Sequence, residues 1–209
     1  MFLTDILITY LAAMLVVVAS PGPDNILAIS RGLSQGRVAA ALSSIGAGLG
    51  IMVHTLAAAL GLALVLQASP FAFWVVKAAG ATYLLWLGYK AISSRSLISF
   101  VPAEHQSLTR IFATGLLSNV LNPKPGLFVI AFIPQFTSQL RGPVYLQMLG
   151  YGAMFAVLTA IIFTVLGSFA AQLSSWLARR PKAVAGANVG AGLTFIAAGL
   201  SILALDRRR

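Results

Sequence analysis

Two charged side chains lie beside helix-breaking prolines in a chain that is otherwise strongly apolar. One belongs to Pro21-Gly22-Pro23-Asp24, and the other to Pro123-Lys124-Pro125, about a hundred residues further along. Proline lacks a backbone N–H and clashes with the preceding turn, so each motif is expected to interrupt a helix. An ionisable side chain at membrane depth costs about 2.5–3.5 kcal/mol to insert, so it indicates a function. We therefore expect Asp24 and Lys124 to lie close together at one site.

Broken helices at membrane depth can bind both ends of a zwitterion. Their free backbone groups survive only where protein buries them or where they line a wet cavity. Helix N-termini attract a carboxylate, and free carbonyls at C-termini can hold an ammonium group or a cation. Two opposed breaks therefore suit an amino acid, although a small inorganic ion would also fit. The alternative for Asp24 is that it only caps the helix beginning near Asn25.

Polar residues near the breaks complete the candidate site. Asn25, Asn119 and Asn122 can either satisfy free backbone groups or bind a substrate, and their types do not separate these roles. His54, deep in the second apolar segment, fits a buried hydrogen-bonded residue as well as a proton relay. Arg31 is interpreted as a loop charge. The candidate substrate-binding or coupling residues are Pro21, Gly22, Pro23, Asp24, Asn25, His54, Asn119, Asn122, Pro123, Lys124 and Pro125. We expect no catalytic residue, metal ligand or cofactor.

Composition places these residues in a membrane. The chain has 209 residues, of which 59% are hydrophobic and 9% charged, against about 25% charged in soluble domains. No Asp, Glu, Lys or Arg lies between Arg37 and Lys77, and another such gap separates Arg141 from Arg179. Each gap is long enough for a spanning helix of about 20 residues. The net charge is +10, and most of the basic residues lie in short clusters between apolar stretches. This arrangement indicates contacts with lipid headgroups rather than nucleic-acid binding.

The order of apolar segments predicts an all-α integral membrane protein with a single transport domain, 1–209. Six transmembrane helices would form two three-helix repeats, 1–92 and 109–209, joined by the polar loop 93–108. Because each repeat has an odd number of spans, the second would be inverted relative to the first. The first and fourth helices would be broken at the Pro-x-Pro motifs. The expected segments are 4–33, 38–66, 71–92, 109–136, 144–173 and 184–205, with a loop at 34–37.

Three motifs in register resemble the lysine exporter (LysE) family, and specifically its homoserine/threonine efflux (RhtB-type) branch. They are Ser20-Pro21-Gly22-Pro23-Asp24-Asn25, Asn122-Pro123-Lys124-Pro125, and the stretch from Lys77 to Gly88 that includes Gly80 and Tyr83. The resemblance covers essentially the whole chain. It carries over Pro21, Gly22, Pro23, Asp24, Asn122, Pro123 and Lys124 as motif positions.

The resemblance implies a multi-pass exporter of amino acids in the bacterial inner membrane, driven by proton antiport. Its expected partners are an amino acid, the proton and the lipid bilayer. A homo-oligomer is compatible with the family, and the glycine-rich second span offers a face for it. For Gly46-x-Gly48-x-Gly50, close packing of helices is favoured over contact with a substrate.

Two other function classes are open. A carrier or channel for a metal cation or another small solute would need more than one buried carboxylate, and only Asp24 qualifies. A membrane-embedded enzyme or assembly factor would need paired acid and base residues or an extramembrane domain. The sequence has no nucleotide-binding loop or nucleophile motif, so it predicts a transporter and not an enzyme.

Overall fold

The computed structural model describes residues 4–20, 22–68 and 104–170, together with scattered positions between 71 and 93 and between 172 and 200. The described part is helical and contains no strand. Its elements are α1 (Thr4–Ala19), α2 (Pro23–Ala68), α3 (Leu108–Leu121), α4 (Pro123–Phe132), the 3-10 turns Ile133–Phe136 and Gln139–Arg141, and α5 (Val144–Ser168). Apolar helices without strands agree with the expected all-α membrane protein.

Two of these helices are long and apolar enough to cross a bilayer, namely Pro23–Gly61 and Val144–Ser168. A third span exists if Leu108–Leu121 and Pro123–Phe136, which meet at a bend of 54°, are counted as one broken helix. The apolar stretch Ile6–Ala19 is shorter. The expected segments 71–92 and 184–205 lie largely outside the described residues, so the number of six spans stays a prediction.

A single glycine replaces the loop expected at 34–37. Gly36 has φ 80° and ψ −167°, a left-handed conformation that costs little without a Cβ atom. Helical structure continues directly on both sides of Gly36, so the prediction of a four-residue loop is wrong. One residue of positive φ is enough to redirect the chain, and α2 is a pair of helices joined at a kink.

The glycines of the second segment bring α2 into backbone contact with α3 and α5. A Cβ atom on Gly46 would collide with the carbonyl oxygen of Phe112, and one on Gly48 would lie 2.9 Å from the carbonyl oxygen of Ala156. Glycine at such positions permits close helix approach. These glycines therefore serve close packing within the chain, and a homo-oligomer stays a prediction.

An aromatic cluster joins α1 to α5. The Tyr10 hydroxyl donates a hydrogen bond of 2.8 Å to the carbonyl oxygen of Tyr151, and the two rings pack edge to face with centroids 4.6 Å apart. Phe136 packs against Tyr10 with centroids 5.1 Å apart. The cluster attaches the helix before the first break to α5.

Candidate functional site

The first break separates α1 from α2, and the side chain of Asn25 supports it. The backbone N–H of Gly22 donates to Asn25 Oδ1 over 2.7 Å. Asn25 Nδ2 donates in turn to the carbonyl oxygen of Ser20 over 3.1 Å. One amide therefore satisfies a free donor and a free acceptor on either side of position 21, which itself lies outside the described residues. Pro23 is the first residue of α2, where its missing N–H is not needed.

The second break lies between α3 and α4, and Asn122 caps both helices. Its backbone N–H donates to the carbonyl oxygen of Asn119 over 3.0 Å, which closes the end of α3. Its Oδ1 accepts a hydrogen bond of 3.0 Å from the backbone N–H of Lys124, which caps α4. Asparagine suits both tasks because its side-chain oxygen competes well for free backbone donors. Pro123 again occupies the first helical position.

The carboxylate of Asp24 crosses from the first break to the second. Oδ1 accepts a hydrogen bond of 2.8 Å from the hydroxyl of Ser118. Oδ2 accepts one of 2.7 Å from Asn119 Nδ2 and another of 2.9 Å from Asn122 Nδ2. Hydrogen bonds to an ionised acceptor are roughly twice as strong as neutral ones. Asp24 is the second residue of α2, and these bonds tie the start of α2 to the end of α3, which goes beyond the capping role considered as the alternative.

Lys124 makes the reciprocal contact. Its ammonium group donates a hydrogen bond of 2.9 Å to the carbonyl oxygen of Ser20, at the first break. A Cβ atom on Gly22 would lie 3.3 Å from Lys124 Nζ, so glycine leaves room for this side chain. The acidic group of the first break thus contacts the second break, and the basic group of the second contacts the first.

A cavity of about 30 Å³ lies between the two breaks. From the two breaks, the cavity is lined by Ser20, Gly22, Asp24, Asn25, Asn119, Asn122 and Lys124. Its remaining lining is Val17, Val18, Ile51, Pro125, Phe155, Thr159 and Phe163. This volume suffices for one or two water molecules. The expectation that Asp24 and Lys124 lie close together agrees with their place in the same cavity.

Asn119 adds an unsatisfied acceptor to this cavity. The side chain is buried, and among the described residues its Oδ1 has no hydrogen-bond partner. A Cβ atom on Gly50 would lie 2.7 Å from that oxygen, so α2 approaches Asn119 closely only because residue 50 is glycine.

His54 lies behind the cavity rather than in its lining. Its Nε2 is 3.0 Å from the carbonyl oxygen of Asn119. A Cβ atom on Gly126 would lie 2.9 Å from the imidazole ring. His54 therefore contacts the backbone beside the second break, a position that suits support of that break and leaves its role in proton transfer a prediction.

Arg31 is not the loop charge that the sequence suggests, because only 3% of it is exposed. Its Nη1 donates to the carbonyl oxygen of Glu104 and its Nη2 to Gln106 Oε1, each over 2.6 Å. Gln35 Nε2 donates to the carbonyl oxygen of Gln106 over 2.7 Å. These bonds hold the linker, residues 104–107, against the first part of α2.

Sequence reasoning missed two residues that the structure brings to the site, namely Ser118 and Thr159. Ser118 offered one signal, because it lies four residues before Asn122 and thus on the same side of the helix end. Thr159 offered none, because a threonine within an apolar helix is ordinary.

Comparison with known proteins connects this geometry to a family. A model of the "LysE type translocator" family matches residues 15–205. A homoserine/homoserine lactone efflux protein of Salmonella typhi is 30% identical over 191 residues, covering 91% of this chain and 92% of that protein. An uncharacterized membrane protein of Vibrio cholerae is 29% identical over 92% of this chain and 94% of its own. A leucine efflux protein of Klebsiella pneumoniae is 32% identical over 62% of both.

No solved structure matches the chain. The family match, by contrast, extends over both breaks and nearly all of the sequence. This chain belongs to the LysE type translocator family.

Proposed function

We propose that this protein exports small amino acids across the bacterial inner membrane by proton antiport, with alternating access around the two breaks. One observation carries the proposal: Asp24 of the first break bonds to the second, while Lys124 of the second bonds to the first. Each contact joins elements that must separate before an amino acid can enter the cavity. The same side chains that close the site therefore have the charges that an amino acid needs.

The proposed architecture is two inverted repeats, 1–92 and 109–209, joined by 93–108 within a single transport domain. In support, α1 and α2 flank one break as α3 and α4 flank the other. Pro23 and Pro123 each begin the helix that follows a break, and Asn25 and Asn122 bond to backbone groups at the two breaks.

Substrate binding follows from exchange of these internal contacts. The ammonium group of an amino acid replaces the amide donors that bond to Asp24, and it also donates a hydrogen bond to the carbonyl oxygen of Ser20. The carboxylate of the amino acid pairs with the ammonium group of Lys124. Asn119 Oδ1, which has no partner among the described residues, offers a further acceptor. Because the ligand makes these contacts only after the breaks separate, its binding favours the open conformation over the closed one.

Proton coupling follows from competition at Asp24. A proton on this carboxyl removes the charge that attracts the substrate ammonium, so proton and substrate exclude each other from the site. Alternate occupancy of one carboxylate by two cations is the simplest basis for antiport. The relatives named as efflux proteins of homoserine and of leucine support small neutral amino acids as the substrate class.

Export from cells preloaded with dipeptides tests the proposal. We expect wild type to release a neutral amino acid, and Asp24→Asn and Lys124→Met to abolish this release at matched membrane expression. Glu104→Gln and Arg110→Met are matched controls, because these exposed residues lie outside the cavity lining, and both should export normally. Normal export by the two site variants would refute the site assignment.

Transport in proteoliposomes tests the proton coupling separately from the identity of the substrate. Proteoliposomes are loaded with amino acid, and the external medium is made more acidic than the lumen. We expect this pH gradient to accelerate amino-acid efflux by wild type. An efflux rate that does not depend on the pH gradient would indicate a uniporter instead of an antiporter. Movement of a divalent cation instead of any amino acid would favour the cation carrier.

A further inference from the structure

Thr159 is a polar residue in the lining of the cavity between the two breaks. Thr159 is 2% exposed, and its Oγ1 has no hydrogen-bond partner within the part of the chain that the structure describes. A buried hydroxyl left in this state loses its hydration without compensation. Such a group in a binding cavity indicates that a ligand supplies the missing partner.

Three other hydroxyls in the described helices behave differently. Ser44 donates to the carbonyl oxygen four residues earlier over 2.7 Å, and Thr55 and Thr114 do the same over 2.8 and 2.7 Å. This bond is the usual outlet for a serine or threonine within a helix. Thr159 does not make it, although the carbonyl of Phe155 is at the same spacing. The local helix therefore does not explain where this hydroxyl bonds.

The neighbours of Thr159 define what can approach it. Phe155, Thr159 and Phe163 are four residues apart, so they share one face of α5. All three line the cavity between the breaks, and the part of the lining that α5 contributes carries no charge. An amino acid held at the breaks through its ammonium and carboxylate groups has only its side chain left to contact α5.

We infer that Thr159 determines the selectivity of this protein between hydroxylated and apolar amino-acid side chains. Its hydroxyl hydrogen-bonds to the hydroxyl of a short polar side chain, and the rings of Phe155 and Phe163 limit the length of that side chain. This inference rests on the proposed export function and adds to it a residue that selects among substrates.

Homoserine and norvaline test the inference, because they differ only by a hydroxyl in place of a methyl group. Their efflux is measured together from proteoliposomes loaded with equal amounts, so the ratio does not depend on the amount of protein. Relative to wild type, Thr159→Val should lower the homoserine-to-norvaline ratio by about three- to tenfold, the loss of one hydrogen bond. Thr159→Ser retains the hydroxyl and should keep the wild-type ratio. Thr82→Val is the matched control, because its exposed hydroxyl bonds to its own helix.

An unchanged homoserine-to-norvaline efflux ratio in Thr159→Val overturns the inference. An equal fall in the efflux of both substrates in Thr159→Val and Thr159→Ser also overturns it, because that result indicates a structural role for Thr159. If Thr159→Val is inactive, the wild-type protein and Thr159→Ser decide: the inference requires both to favour homoserine over norvaline, and equal efflux refutes it. A wild-type protein that exports leucine but no hydroxylated amino acid also refutes it while leaving the export function intact. A wild-type protein that exports neither class refutes the proposed function itself.

Discussion

Replacing Asn122 should destabilise the closed site, because its side chain performs two tasks at once. Oδ1 caps α4 at the backbone N–H of Lys124, and Nδ2 donates to the carboxylate of Asp24. Loss of an N-cap costs about 0.5–2 kcal/mol, and loss of a hydrogen bond to a charged group costs about 1.5–3 kcal/mol. Asn122→Ala should therefore lose about 2–5 kcal/mol of stability.

Two further variants separate the tasks. Asn122→Ser keeps a good capping group but is too short to reach Asp24, so it should lose only the stability contributed by the hydrogen bond to Asp24. Asn122→Asp keeps the cap and sets a second carboxylate beside Asp24 Oδ2, where Asn122 Nδ2 is 2.9 Å away. Like charges at this separation repel, so we expect a greater loss than in Asn122→Ser.

The assay is thermal unfolding of the purified protein in detergent at fixed pH. For a protein of this size, 1 kcal/mol corresponds to about 2–4 °C in Tm, so Asn122→Ala should lower Tm by about 4–20 °C. The double variant Asp24→Asn/Asn122→Asp restores one carboxylate and one amide across the contact, and its Tm should exceed that of Asn122→Asp. A wild-type Tm for Asn122→Ala would refute the assigned contacts, and a double variant no more stable than Asn122→Asp would refute the pairing.

Two further predictions concern the packing around the site. Arg31→Ala should release the linker from α2, because it removes the donors to Gln106 Oε1 and to the carbonyl oxygen of Glu104. Limited proteolysis should then cut the linker faster than in wild type. An equal rate of cleavage would contradict the role of Arg31 in holding the linker. Gly115→Ala should cost about 1–3 kcal/mol by overpacking, because its Cβ would collide with the backbone of Ser43. Gly61→Ala is the matched control, since no described atom lies within 4 Å of its Cβ position, and only Gly115→Ala should lower Tm.

In the proposed transport cycle, closure of the site and recognition of the substrate use the same groups. The cavity has a volume of about 30 Å³, and Asp24 and Lys124 in its lining already bond to groups of the opposite break. A substrate therefore competes with the internal contacts of Asp24 and Lys124. This competition gives a physical reason why variants at these two positions should alter both stability and transport.

The sequence by itself determined the features that depend on local chemistry. Proline is tolerated in the first turn of a helix but not in its interior, so the end of α3 at Leu121 and the start of α4 at Pro123 agree with the break expected at Asn122-Pro123-Lys124-Pro125. Apolar composition identified a membrane protein for the same reason, because each segment must match the bilayer on its own. The family motifs are short and contiguous, and the family match covers all of them.

Only the tertiary structure decided which groups meet across the two halves. The bonds from Asp24 to Ser118, Asn119 and Asn122 join residues more than ninety positions apart, and no local pattern specifies such a pairing. Arg31 is polar enough for a loop, yet the returning linker buries it. Thr159 looks like any helical threonine until the cavity and its missing hydrogen bond are known. These roles arise from how α2, α3 and α5 pack together, and packing depends on the whole set of surfaces rather than on the residues of any one segment.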